Sequence, residues 1–193
     1  MFASIFTTII KIKSQIMKKS LLFAILLFIG TVTSMNAQKF AGLQKSPTDI
    51  SYAKTDRNAK PDVKVIYSRP QKKGRTMLGE KVAYGKVWRT GADEATEIKL
   101  FKDMKLGEKT VKAGTYSLFT IPGEKEWTII LNSDLDVWGA YSYDEGKDVA
   151  RIKVPAGTGD ELEAFSIAFK KVDKGYHMVL GWETTRVEVP FYN

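Results

Sequence analysis

Cysteine is absent from the 193 residues, and histidine occurs once, at His177. The first absence excludes disulfide frameworks, thiolate metal sites, a cysteine nucleophile and a lipid-modified cysteine. The second excludes any metal site that needs two imidazoles. No Gly-x-x-x-x-Gly-Lys-Ser/Thr run exists to cradle a phosphate chain, and there is no internal repeat or low-complexity tract. No window carries a helical stripe of apolar residues at three- and four-residue spacing. What the chain does have is a 44% hydrophobic and 11% aromatic composition in 21.7 kDa. That is enough apolar material for a packed core of one domain or slightly more.

The first segment reads as an address. Met17-Lys-Lys-Ser is followed by the apolar run Leu21 to Ile29 and then by Gly30-Thr-Val-Thr-Ser-Met-Asn-Ala37. A positive start, a short apolar core and a small-residue exit are the layout of a secretory signal. The run spans about 13 Å as a helix, whereas a bilayer needs about 20 apolar residues. Residues 1–37 are therefore expected to be a signal peptide, with Met17 the natural initiator and Met1–Ile16 an upstream extension or a longer n-region. Cleavage is expected near Ala37/Gln38, although Met35 at the third position before the cut is larger than ideal. The mature chain is then periplasmic or secreted, with no stable membrane anchor after cleavage.

Charge is uneven. Residues 1–37 hold Lys11, Lys13, Lys18 and Lys19 and no acid, so residues 38–193 carry 26 bases against 22 acids. Within 60–89, nine bases meet only Asp62 and Glu80, whereas thirteen bases meet eighteen acids from 90 onward. A basic segment of this kind is either a solvated set of lysine-rich turns or a surface that attracts anions. Nucleic acid is not the expected partner, because export removes the usual target and no recognition-helix or ribonucleoprotein signature is present.

The periodicity is that of strands. Phe165, Ile167 and Phe169 alternate with small residues in Glu163–Lys170, and Tyr176, Met178, Leu180 and Trp182 share one face of Tyr176–Glu183. Asp173-Lys174-Gly175 between them makes a hairpin. Arg186-Val187-Glu188-Val189 follows, and Pro190 is expected to end it. Thr115–Ile121 and Trp127–Asn132 flank the turn Pro122-Gly123-Glu124-Lys125. Val63–Ser68, Ala95–Phe101 and Val149–Val154 complete the set, with a weaker strand at Asp49–Ala53. Short strands with turns at roughly 8–12-residue spacing predict an all-β fold. The expected architecture is an antiparallel β-sandwich, jelly-roll-like, of about eight to nine strands. Residues 38–61 would be a polar lead-in with one edge strand, and 62–193 a single β-sandwich domain.

Most chemical templates fail. Alternation puts His177 opposite Met178 and Trp182, and no serine has a nucleophile-elbow setting, so a serine triad is not built. Asn132-Ser-Asp134-Leu-Asp136 imitates the start of a calcium loop, but Val137 and Tyr143 stand where glycine and glutamate are required. A glycosidase-like carboxylate pair has candidates in Asp93, Glu94, Glu97, Asp144, Glu145 and Asp148, and spacing does not choose among them. What stands out is Tyr84-Gly-Lys-Val-Trp88-Arg89-Thr-Gly91-Ala92-Asp93-Glu94-Ala95-Thr96, which gathers an indole, a guanidinium, two carboxylates and a hydroxyl around a glycine turn. Arg69 and Arg75 are further guanidinium forks that would join it. The candidate ligand-binding residues are thus Arg69, Arg75, Trp88, Arg89, Asp93, Glu94 and Thr96. Arg89 would hold an anionic group bidentately beside the Trp88 wall. The alternative is that these groups only tie loops together. Trp138-Gly-Ala-Tyr141-Ser-Tyr143 adds loop aromatics that can stack on sugar rings or bury against a neighbour.

Six ordered motifs carry a resemblance: Tyr67-Ser-Arg-Pro70, Lys73-Gly-Arg75 with Gly79, the Tyr84–Thr96 string, Ala113-Gly-Thr-Tyr-Ser-Leu-Phe-Thr-Ile-Pro122, Trp127-Thr-Ile-Ile-Leu-Asn132 and Trp138-Gly-Ala-Tyr141. From about Ser46 to Val189 the chain resembles the secreted bacterial family catalogued as domain of unknown function 2911, common in the Bacteroidetes. That family usually has Asn where this chain has Asp93, which adds a negative charge beside Arg89. The resemblance implies export and a single β domain and names no activity. The first expectation is an extracytoplasmic, non-catalytic binding module for a carbohydrate or small anionic ligand. A hydrolase or lyase using Asp93/Glu94 as acid–base groups and a structural envelope protein without ligand are the alternatives. No cofactor and no metal are implied.

Overall fold

The computed structural model describes residue 5, residues 9–21 and residues 38–193. Residues 22–37, which hold most of the apolar run and the expected cleavage site of the export signal, lie outside the described residues, as do 1–4 and 6–8. The chain divides into two units, Met1–Gly42 and Leu43–Asn193. The first carries a helix over 9–21. Among the described residues no helix is long and apolar enough to cross a membrane.

The second unit is all-β. Its strands are β1 (Thr48–Ala53), β2 (Val63–Ser68), β3 (Thr96–Leu100), β4 (Met104–Leu106), β5 (Lys109–Val111), β6 (Gly114–Ile121), β7 (Glu126–Asn132), β8 (Asp148–Val172) and β9 (Gly175–Tyr192). They form one open antiparallel sheet in the order β1-β2-β3-β6-β7-β8-β9-β4-β5. Period-two alternation decides which way each strand faces. Val63, Val65 and Tyr67 on β2, and Thr96, Ile98 and Leu100 on β3, point inward while their neighbours stay half-buried.

The long strands turn the sheet on itself. β8 pairs with β7 through Pro155 and with β9 from Ala156 onward, so the sheet bends at that junction and its two halves face each other. The predicted layers are therefore halves of one continuous sheet. β9 doubles back at Glu183, whose φ of 51° is left-handed. A straight strand of that length would hold its ends far apart, at about 3.3 Å per residue. Instead, Asn193 N donates to Lys174 O at 2.9 Å and His177 Nδ1 meets Glu188 Oε2 at 2.8 Å. Pro190 does not end the strand. It falls between the β8 ladder, which reaches Val187, and the β4 ladder, which engages Phe191, so it removes no ladder bond.

Two contacts fix how the halves meet. The Tyr67 hydroxyl accepts from Ile167 N at 2.9 Å and donates to Ile167 O at 3.3 Å, joining β2 to β8 through the interior. Residues 69–72 then cover the free edge of β8. Phe165 N donates to Pro70 O, Lys72 N donates to Glu163 O, and Arg69 Nε donates to Phe165 O. Between the halves, Trp88 stacks on Trp182 at 5.8 Å and meets Trp127 and Phe165 edge-on. Such aromatic pairs add about 0.5–1.5 kcal/mol each beyond the area they bury. This aromatic cluster floors the end of the fold that carries the candidate site.

Candidate functional site

The site begins where β3 stops. Trp88 takes β3's place beside β6, exchanging backbone bonds with Thr120 at 2.7 and 2.9 Å. Residues 89–95 loop out before β3 resumes at Thr96. The loop is closed from within. Thr96 N donates to Arg89 O, Thr96 Oγ1 to Thr90 O at 2.7 Å, and Trp88 Nε1 to Gly91 O at 3.1 Å. Thr90 and Asp93 both adopt left-handed φ, 56° and 61°. For residues with a Cβ that conformation costs on the order of 1–3 kcal/mol and persists only where surroundings impose it. Gly91 sits in a tight space, since a Cβ would lie 3.0 Å from both Ser68 O and Thr96 Oγ1.

Over the aromatic floor lies the segment 71–87, which has no regular strand. Glu183, at the β9 reversal, anchors it by accepting from Met77 N at 2.9 Å and Leu78 N at 3.0 Å. Val82 N donates to Met77 O, and Gly85 N to Pro122 O. The segment and the loop enclose a cavity of about 270 Å³ lined by Pro70, Met77, Lys81, Val82, Ala83, Lys86, Val87, Trp88, Arg89, Gly91, Ala92 and Trp182. Three cations line it and no carboxylate does. Among the described residues, none of the ion pairs engages Lys81, Lys86 or Arg89. Arg89 Nε is buried without a hydrogen-bond partner, and the guanidinium lies against Gly139, where an added Cβ would stand 3.3 Å from Nη1. A buried donor left unpaired costs about 1–3 kcal/mol, and unmatched cations around a concave site attract anions.

Sequence reasoning placed seven residues in one site; the structure distributes them. Trp88 and Arg89 share the cavity, although Trp88 is 8% exposed and belongs mainly to the core. Arg69 does not line it. Its Nε, Nη1 and Nη2 are taken by Phe165 O, Asp49 Oδ2 and Ser166 Oγ, so the fork holds β8's edge. Arg75 is exposed and donates to Lys72 O and Gln71 O within its own turn. Thr96 is buried with its hydroxyl committed to Thr90 O. Asp93 accepts from Gly139 N through its backbone carbonyl and lines neither cavity. Glu94 opens on the other side of the loop, into a second cavity of about 460 Å³ with Glu97, Asp136, Ser117 and Thr48. Lys81 and Lys86 were missed as ligand groups. The signal that marks them is the basic excess of 60–89, in which Lys86 stands inside the Tyr84–Thr96 motif and Lys81 three residues before it.

The remaining motifs have structural roles. Asn132 is fully buried, donates to Asp144 O and Asp148 Oδ1, and accepts from Asp134 N. Asp134 pairs with Lys147. The string that imitated a calcium loop thus pins the 133–147 loop. Tyr143 joins that cluster through Asp148 and Arg151, and burial together with the bond to the Asp148 carboxylate pushes its hydroxyl up to about 12. Trp138 and Tyr141 remain exposed on the loop. The buried Trp127 Nε1 also lacks a partner, and nothing in the structure explains it.

Comparison with known families places this geometry. The chain belongs to the family described as protein of unknown function (DUF2911), whose model matches residues 46–191. That span covers β1 to β8, all of β9 but its last residue, and both cavities. No curated protein and no solved structure matches the chain.

Proposed function

We propose that this member of the DUF2911 family is a non-catalytic binding module, acting outside the cytoplasm, for a small anionic ligand or an anion-bearing carbohydrate. Export is supported by the short apolar run and small-residue exit of residues 17–37. The observation that carries the binding reading is the cavity lined by Lys81, Lys86 and Arg89 without any acid. Elsewhere Arg69, Lys72, Lys102, Lys112, Lys147, Arg151 and Lys153 each have a carboxylate partner, and what sets Lys81, Lys86 and Arg89 apart is that all three line one cavity. Cationic residues around a shared recess without a counter-ion favour an outside anion, and a guanidinium is the planar fork that suits an oxyanion.

A second reading keeps Glu94 as an acid–base group, now with Glu97 rather than Asp93, because these two share the second cavity. Hydrolysis or elimination there would need one carboxyl to donate a proton while the other accepts one. The two readings separate in one experiment. Thermal unfolding of the purified chain is followed against sugars, nucleotides, organic acids and neutral controls. A ligand that binds only the folded chain raises its stability, by about 2.7 kcal/mol at one hundred times its dissociation constant. Anions should stabilise the wild type and lose that effect in Arg89→Ala, with Glu97→Gln unaffected. Stabilisation abolished by Glu97→Gln and kept in Arg89→Ala would replace the first reading with the second.

A further inference from the structure

We infer that the ligand group seated against Arg89 is a phosphate monoester, a dianion with three free oxygens, rather than a carboxylate or a sulfate ester; this rests on the anion-binding reading above. The argument is a count of charge and of acceptors. Three separate cationic side chains, Lys81, Lys86 and Arg89, line one cavity of about 270 Å³. Glu183, beside the floor at the β9 reversal, turns both oxygens to the Met77 and Leu78 amides. A carboxylate brings one charge and two oxygens, so it leaves two of the three cations unmatched. A phosphate monoester brings about −1.5 to −2 charges and three strong acceptor oxygens at neutral pH. It therefore offers one oxygen edge to the guanidinium fork and the remaining oxygen to the ammonium groups, in the manner of charge-assisted recognition by Arg and Lys.

The cavity also limits what the phosphate is attached to. Ligand pockets usually run from about 300 to 1,000 Å³, so this one takes a single small body rather than a polymer. Met77, Val82, Ala83, Val87 and the accessible part of Trp88 form an apolar wall beside the cations. The ring of a sugar phosphate, with its C–H faces, suits a wall of that kind.

The test is calorimetric titration of the purified full chain at fixed ionic strength with four probes on one scaffold: glucose 6-phosphate, glucose 6-sulfate, glucuronate and glucose. Glucose 6-phosphate should bind about tenfold or more tightly than the sulfate ester, which has the same three oxygens but a single charge, and than glucuronate, which has one charge and two oxygens, with glucose weakest. Lys81→Ala and Lys86→Ala replace exposed side chains, so folding is not at risk, and each should narrow the lead of the phosphate over the sulfate about tenfold. If the sulfate ester or glucuronate binds as tightly as the phosphate, the dianion inference is overturned while the anion-binding reading stands. If glucose binds as tightly as the charged probes, or no probe binds, both readings fail.

Discussion

Removing a single oxygen from Tyr67 tests how the two halves of the sheet are held together. In the folded chain the Tyr67 hydroxyl serves both the N–H and the C=O of Ile167, at 2.9 and 3.3 Å. Tyr67 and Ile167 are 4% exposed, so water does not readily replace the hydroxyl. Tyr67→Phe keeps the ring and its edge-on contact with Phe165 at 5.9 Å, and deletes only the polar bridge. An unsatisfied buried N–H costs about 1–3 kcal/mol. The longer bond to the carbonyl adds less, which gives a total of about 2–3 kcal/mol. For a chain of this size that loss lowers Tm by roughly 4–12 °C. In urea the midpoint should fall with an unchanged m-value, because the surface exposed on unfolding is the same. Hydrogen exchange at the Ile167 amide should accelerate in the variant. A loss below about 0.5 kcal/mol, the range of ordinary surface changes, would refute the bridge. Burial raises the Tyr67 hydroxyl above its ordinary value against the opposing bond to Ile167. The bridge should therefore be intact below pH about 10 and weaken only as pH climbs through the raised folded value.

Three further outcomes follow from the same contacts. Trp182→Ala, which removes a side chain 1% exposed and stacked on Trp88, should cost about 3–5 kcal/mol in chemical denaturation; a loss under 1 kcal/mol would mean the aromatic floor is misplaced. Gly175→Ala puts a Cβ 2.1 Å from Phe191 O, so β9 could not close on itself without backbone movement, and stability should drop by at least about 2 kcal/mol; a neutral result would argue against the doubled β9. Burial and the bond to Asp62 push the Tyr176 hydroxyl up to about 12, while burial opposes, and the bonds from Lys102 and Tyr176 outweigh it, to hold Asp62 below its usual 3.8. The stability difference between wild type and Tyr176→Phe should accordingly be flat between pH about 5 and 9, shrink above pH 10 as Tyr176 ionises, and shrink as pH falls through the lowered Asp62 value; a difference independent of pH at both ends would refute the pairing.

Legibility from sequence tracked the strength of the local signal. β2 and β3 were placed to within a residue because each alternates cleanly, and β6 and β7 because the turn Pro122-Gly123-Glu124-Lys125 separates them. The β4–β5 hairpin went unread because strands of three residues are too short to show a period, although Leu106-Gly107-Glu108-Lys109 with Gly107 at φ 61° is a turn signal. The path of β8 through Pro155, Gly157 and Gly159 was equally hidden, since those residues ordinarily punctuate strands and here mark the bend between two ladders. At the site, Trp88 and Arg89 were legible as a motif. Arg69 and Arg75 were not separable from them, because a guanidinium that covers a strand edge and one that awaits an anion look alike in sequence. Only the partners distinguish the two: those of Arg69 lie about a hundred residues away at Phe165 and Ser166, while Arg75 folds back onto Gln71 and Lys72.

The central claim is that the ligand enters the cavity above Trp88 and Trp182 rather than the acidic cavity across the loop. The four tryptophans, Trp88, Trp127, Trp138 and Trp182, give four indole N–H signals in a nitrogen-edited NMR spectrum, assignable one by one by Trp→Phe substitution. Titration with glucose 6-phosphate should shift the Trp88 and Trp182 signals, whose side chains line the cavity, together with the Lys86 and Arg89 amides. The exposed Trp138, bridged to Glu94 on the other side of the loop, should remain in place. Saturable shifts confined to Trp138, Glu94 and Asp136, with Trp88 and Trp182 unmoved, would contradict the account.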